Sequence, residues 1–265
     1  MDYINNWKSY LEELADPQFV DTSSIVSKDS LPLELWDNDN LIPEVRDAAI
    51  RIANDFFNSL DLDSNISIED ITLTGSLASY NWSDMSDFDL HILIDFKQLQ
   101  DINIIADYFR EKTRSWNGIH NILIKGFEVE IYIQDSSEPH ISSGVYSLME
   151  NRWLKKPSKY RLNIDYDLVK EKSAKLMEDI DNAYDYYAEK DFLLAKQIAE
   201  NLMEKIKRYR KTGLETGGIY SVENLVFKVL RRNDYLRKLS SIKTLAYDAS
   251  MSLTEQDKMY ISYKK

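Results

Sequence analysis

The chain of 265 residues contains no cysteine, three histidines, seven glycines and five prolines. Without cysteine there is no disulfide framework, no cysteine-ligated zinc, no iron–sulfur cluster and no thiol nucleophile. The scattered glycines form neither Gly-x-Gly-x-x-Gly nor Gly-x-x-x-x-Gly-Lys-[Ser/Thr], so the dinucleotide and P-loop fingerprints are absent. No apolar run approaches the ~20 residues needed to span a bilayer. The opening Met1-Asp2-Tyr3-Ile4-Asn5 lacks the basic-then-apolar pattern of a signal peptide. The expectation is therefore a cytoplasmic protein with no membrane partner. Hydrophobic residues make up 43% of the chain, enough at this length for a sizeable core in one large domain or two apposed ones.

The net charge of −12 is unevenly spread. Residues 1–151 carry 28 acidic and 9 basic side chains, a balance of −19, while residues 152–265 carry 17 and 24, a balance of +7. Residues 205–238, with ten basic and three acidic side chains, hold that whole surplus. Two electrostatic roles would produce this division; so would a pair of solvated helices rich in Lys and Arg.

Hydrophobic spacing predicts an amphipathic helix at the start (Trp7, Tyr10, Leu11, Leu14) and a second one after Pro43, carried by Val45, Ala49, Ile52, Ala53, Phe56 and Phe57 and ending near Leu60. Strands are expected at 71–74, 88–94, 121–124 and 127–133, with a helix over 98–116. The order helix, strand, strand, helix, strand, strand describes an α+β fold, a mixed sheet with flanking helices. From Asp165 the pattern is helical, with breaks expected at Gly213 and Gly217-Gly218 and a cap at Ser221. The expected division is a catalytic domain with N-terminal helices over 1–160 and a helical domain over 161–265.

Side chains two apart on a strand share a face, so Asp87, Asp89 and His91 point together, away from Phe88, Leu90 and Ile92. Aspartate is depleted in strands, and two on one face repel unless a cation lies between them. A pair of hard oxygen ligands suits Mg²⁺, which takes its remaining ligands from water and substrate phosphates. A lone Asp-x-Asp is more often the solvated face of an edge strand; the surrounding residues give it more meaning. Gly75-Ser76 stops the preceding strand and opens a polar, partly helical segment, where backbone N–H groups and a hydroxyl can meet an anion or Ser76 can simply cap a turn. Glu128 and Glu130 share one face of a later strand, opposite Val129, Ile131 and Ile133, positioned to add a third carboxylate or to pair across strands.

Gly-Ser, ten residues, Asp87-Phe88-Asp89, then an acidic residue on a later strand: this pattern resembles the polymerase-β-like nucleotidyltransferase superfamily. More narrowly, residues 73–83, 86–91 and 126–135, with Glu138-Pro139-His140, 143–147 and 223–232, are similar to predicted nucleotidyltransferases of tailed bacteriophages. The resemblance spans most of residues 31–240. It implies a metal-dependent transfer of a nucleoside monophosphate from an NTP such as ATP to a hydroxyl acceptor (an RNA end, a protein, a nucleotide or a small molecule) with release of pyrophosphate, in the host cytoplasm if phage-encoded. It further implies two Mg²⁺ or Mn²⁺ ions held by Asp87 and Asp89, with Glu130 as the third ligand and proton acceptor and Glu128 as its substitute. Gly75 and Ser76 would hold the outer phosphates. Such catalysis is positioning and charge neutralisation, which needs no His or Cys nucleophile.

The remaining candidates divide by position. His91 suits a hydrogen bond on the acidic face, and Asp95 a cap at the strand end. Tyr80 and Trp82 suit either stacking on a base or packing in the core. His120 and His140 have no ligand spacing. Lys205, Arg208 and Lys211 lie on adjacent turns of one helix, and Lys228, Arg231 and Arg232 on another. Of these, Lys205, Arg208, Lys228 and Arg232 are the candidates for triphosphate or acceptor binding, with solubilising charge as the other reading. Two further classes stay open: a catalytically silent module of the same fold that binds nucleotide, RNA or a protein, and a nucleic-acid-binding protein that uses the basic segment.

Overall fold

A computed structural model describes residues 17–62, 66–99, 102–140, 142–159 and 164–253. The helix expected around Trp7 to Leu14 lies outside the described residues. The chain divides into two compact units, one within residues 26–161 and one joining the segment up to Ile25 to the chain from 162 onward.

The first unit is α+β. A short hairpin, β1 (Trp36–Asp37) and β2 (Asn40–Leu41), precedes helix α1 (Pro43–Asn58). α1 starts with Pro at its first position and Glu44 in its first turn, both suited to a helix N-terminus. Its stripe of Val45, Ala49, Ile52, Ala53 and Phe56 is buried. Then come β3 (Asp70–Leu73), β4 (Phe88–Ile94), a 3₁₀ turn over 96–98, α2 (Ile102–Ile119), β5 (Leu123–Ile124), β6 (Phe127–Asp135), β7 (Val145–Ser147) and β8 (Arg152–Lys155). Six strands form one mixed sheet in the order β5-β6-β4-β3-β7-β8. β4 and β6 run parallel, joined through α2, and the other neighbours are antiparallel. The β5–β6 turn uses Lys125 and Gly126 at positive φ, the backbone a tight hairpin demands.

One face of this sheet is the core. Ile71 and Leu73 of β3, Phe88, Leu90 and Ile92 of β4, and Val129 and Ile131 of β6 are all buried in one cluster with the α1 stripe and Phe109 of α2. Side-chain alternation therefore puts Asp89, His91, Glu130 and Tyr132 on the opposite face. β1, β2, β7 and β8 are too short for their alternation to be read. Their aromatic residues hold them: Trp36 stacks on Trp153 at 4.7 Å, and Tyr146 meets Trp36 edge-on at 5.0 Å.

The second unit consists of α3 (Tyr166–Ala188), α4 (Phe192–Gly217), α5 (Val222–Arg232) and α6 (Tyr235–Met251). Asp165, Asp191 and Ser221 cap the first three by accepting from Leu168, Leu194 and Asn224 N–H. The break expected at Gly213 does not occur, and α4 runs through it to Gly217. Gly213 is there for closeness: a Cβ would lie 2.4 Å from Glu223 Cβ and 2.7 Å from Ser221 Oγ. The division expected at 160 also needs amending at the N-terminus. Residues 17–25 belong with the helices, because Val20 and Ile25 are buried in the helical core. Asp21 N–H donates to Asn233 Oδ1 (3.1 Å), Asn233 Nδ2 donates back to Asp21 C=O (2.9 Å), and Arg232 Nε reaches Asp21 Oδ2 at 2.7 Å.

Candidate active site

The parallel β4–β6 pairing sets Phe88 opposite Val129, Asp89 opposite Glu130 and His91 opposite Tyr132. Asp87 leads directly into β4, and Asp87, Asp89 and Glu130 are all half-buried. Glu128 is exposed and lies opposite Leu123 of β5. The register thus places Glu130, rather than Glu128, directly across from Asp89.

Gly75 follows β3 with φ +73°. Thr74 N–H donates to the Asp89 carbonyl at 3.1 Å, so the turn is fastened beside the aspartate strand. The approach is very close: a Cβ on Gly75 would fall 1.7 Å from Asp89 Oδ2, 2.7 Å from its Cγ and 3.2 Å from its Cβ. The Asp89 carboxylate occupies the space that any other residue at 75 would fill. Glycine is needed here both for the positive φ and for the missing side chain.

Residues 75–87 contain turns and no helix, so the partly helical segment expected after Ser76 is absent. The loop is closed by hydroxyls. Ser76 Oγ donates to Ser86 Oγ (2.7 Å), and Ser83 N–H donates to the same oxygen (2.9 Å). Ser143 Oγ donates to Ser79 Oγ at 2.9 Å, and Trp36 Nε1 donates to the Leu77 carbonyl at 2.9 Å. These serines are too committed to one another to cap a helix, and their bonds bring both ends of the loop together next to Asp87.

Tyr132 was not among the residues expected from sequence, although the spacing Glu128, Glu130, Tyr132 placed it on the acidic face. Its phenol donates to Glu130 Oε2. Burial pushes the phenol well above its ordinary pKa, and the charge and hydrogen bond of Glu130 and the charges of Asp89 and Asp87 add to the shift. Three carboxylates therefore act on one hydroxyl. His91 Nδ1 is 2.9 Å from Gln134 Oε1, and burial, outweighing that hydrogen bond, lowers its pKa. It is a neutral, held imidazole that hydrogen-bonds an amide rather than an aspartate. Asp95 caps the 3₁₀ turn by accepting from Lys97 N–H at 2.9 Å.

The donor set suits a hard divalent cation, since it offers carboxylate oxygens only. It is not drawn into a closed ligand shell: among the described residues no three His, Asp or Glu side chains gather to hold a metal ion. Glu130 is instead engaged with Tyr132. Of the basic candidates, Lys205 pairs with Asp179 at 3.2 Å and Arg232 with Asp21 at 2.7 Å. Arg208 is exposed on α4, and Lys228 is half-buried on α5. Tyr80 and Trp82 both pack their rings against the sheet's core. No helix is long and apolar enough to cross a membrane among the described residues. Comparison with protein-family models, with curated proteins and with solved structures finds no match.

Proposed function

We propose that the chain is a metal-dependent nucleotidyltransferase built on a nucleotidyltransferase-like sheet, moving a nucleoside monophosphate from an NTP to a hydroxyl acceptor. The observation that carries this reading is the meeting of Gly75 and Asp89: the Gly-Ser turn closes directly on the carboxylate of the Asp-x-Asp strand. Glu130 lies across from that same aspartate on the neighbouring parallel strand. The acceptor oxygen attacks the α-phosphorus, the bond from that phosphorus to the oxygen bridging it to the β-phosphate breaks, and pyrophosphate leaves. Mg²⁺ or Mn²⁺ held by Asp87 and Asp89, with Glu130 as third ligand, would supply Lewis-acid neutralisation of phosphate charge. Glu130 accepts the acceptor's proton, and Tyr132 O–H fixes the direction its carboxylate faces. Gly75 lets the chain approach the phosphates without a side chain in the way, and Ser76, on turning its hydroxyl from Ser86 Oγ, would offer them a donor.

A second reading is favoured by the Tyr132–Glu130 bond and the absence of a gathered three-ligand set among the described residues. It is a catalytically silent module of the same architecture that binds nucleotide, RNA or a protein. Pyrophosphate release with each of the four NTPs and Mg²⁺ or Mn²⁺, against RNA, protein and small hydroxylated acceptors, separates the two. The enzyme reading expects release that falls at least 10³-fold in Asp87→Asn and in Asp89→Asn, because each removes a charge that chemistry of this kind needs. NTP binding without release under any acceptor supports the silent module. Activity surviving both substitutions removes Asp87 and Asp89 from the chemistry.

A further inference from the structure

The loop between Gly75 and Asp87 carries two cations that no motif pointed to. Lys28 N–H donates to the Tyr80 carbonyl at 2.7 Å, which lays the 28–30 segment along the loop. Trp82 Nε1 fastens it further by donating to the Ser30 carbonyl at 2.9 Å. The Lys28 ammonium then sits 4.6 Å from the centroid of the Trp82 ring. From the other direction, Gly144 and Pro157 close on Ala78: a Cβ on Gly144 would lie 1.8 Å from the Ala78 carbonyl oxygen and 3.3 Å from Pro157 Cβ. The chain beyond Pro157 thereby brings the Lys159 ammonium to 5.1 Å from the Tyr80 ring centroid. Two ammonium groups thus rest on aromatic residues two positions apart.

Some of this unit's cations are neutralised by carboxylates and others are not. Arg110, Arg114, Lys125, Arg152 and Lys156 each pair with a carboxylate. Lys28 and Lys159 have no carboxylate partner among the described residues. An aromatic ring attracts an ammonium without neutralising it, and here it also gives each long side chain a surface to lie against. The rings are partly buried against the core, with a lysine ammonium close to each. The loop also ties this pair to the acidic strand: Ser83, next to Trp82, and Ser76 meet on the hydroxyl of Ser86, which precedes Asp87.

We infer that Lys28 and Lys159, backed by Trp82 and Tyr80, form a polyphosphate subsite that takes the outer phosphates of the nucleotide. This rests on the nucleotidyltransferase reading for the identity of its ligand, and it supplies triphosphate-binding charge from the sheet's own unit, without calling on the basic helices. A polyphosphate placed here would be drawn by two positive charges at one end and, through the loop, directed toward Asp87 and Asp89 at the other.

The test is calorimetric titration of the full chain with inorganic tripolyphosphate and with each NTP. Lys28→Gln and Lys159→Gln should each weaken tripolyphosphate about tenfold, and the double variant about 100-fold, as expected for loss of charge-assisted contacts. Lys28→Arg with Lys159→Arg should restore binding. Lys112→Gln removes a comparable contact, Lys112 over the Tyr108 ring at 5.4 Å, and should leave affinity unchanged. On the unaltered protein, tripolyphosphate should shield Lys28 and Lys159, but not Lys112, from an amine-acylating reagent read by mass spectrometry, which avoids any folding defect in the variants. Failure of the unaltered protein to bind tripolyphosphate, undiminished affinity in a folded double variant, or acylation without shielding would each overturn the subsite. Lysine-dependent tripolyphosphate binding with no turnover of any NTP would leave the subsite standing and reject the enzyme.

Discussion

Replacing Gly75 by alanine tests the arrangement at its tightest point. Two costs arise, and they can be separated. The first is backbone strain from a side chain at φ +73°, about 1–2 kcal/mol for a non-glycine residue in this region. The second is displacement. The new Cβ would lie 1.7 Å from Asp89 Oδ2, where ordinary contact begins near 3.4 Å, so the carboxylate must retreat by about 1.7 Å. Rotation alone is insufficient because Asp89 Cγ and Cβ, at 2.7 and 3.2 Å, are also too close. A 1 Å misplacement of a reacting group can cost about 100-fold in rate. Gly126→Ala is the control: φ is +91° there and nothing lies within 4 Å of the added Cβ, so it carries the strain alone. Gly126→Ala should lose about 1–2 kcal/mol in urea unfolding, and Gly75→Ala more than that. Only Gly75→Ala should reduce pyrophosphate release, by about 100-fold or more. Equal turnover in the two variants would refute the argument that Asp89 is a reacting group whose place depends on Gly75.

Two predictions concern the helical unit. Lys238 pairs with Asp181 while Tyr235 O–H donates to the other oxygen at 3.0 Å, and the two charged side chains are only 13% and 19% exposed. Lys238→Met should cost about 3 kcal/mol at pH 7, because Asp181 is left as a buried uncompensated charge. Burial holds the Asp181 pKa above the usual carboxylate range against the lowering effect of Lys238 and Tyr235. The folded state therefore takes up a proton more readily than the unfolded chain as pH falls, and the penalty should shrink between pH 7 and pH 5 in urea titrations; a penalty that grows on acidification contradicts this. Gly213→Ala would ordinarily stabilise a helix interior by about 1 kcal/mol. Here the methyl meets Glu223 Cβ and Ser221 Oγ at 2.4 and 2.7 Å, so a loss of about 1–3 kcal/mol is expected, and a rise in melting temperature would show that α4 and α5 approach less closely than described.

What could be read directly from the residues followed from periodicity and caps. The stripe of α1, the alternation of β4 and β6, and the cap at Ser221 are local properties, set within a few positions along the chain, and each appears where its residues predict. Strands of two to four residues such as β1, β7 and β8 offer too few positions for a period and exist because Trp36, Tyr146 and Trp153 pack together from distant segments. Gly213 looked like a helix breaker because a glycine's flexibility is visible in sequence whereas the neighbour it makes room for is not.

The same division runs through the candidate site. By itself the sequence determined that two aspartates and a histidine share one strand face, that two glutamates share another, and that a Gly-Ser turn precedes them, since a period of two needs no tertiary information. Only the tertiary structure decided which glutamate faces Asp89, because register depends on pairing between strands separated by a helix. It alone brought Asp89 into the space beside Gly75, set Tyr132 on Glu130, and carried Lys28 and Lys159 from opposite ends of the unit to one loop. Those contacts join residues far apart in the chain, and no local pattern encodes a distance between them.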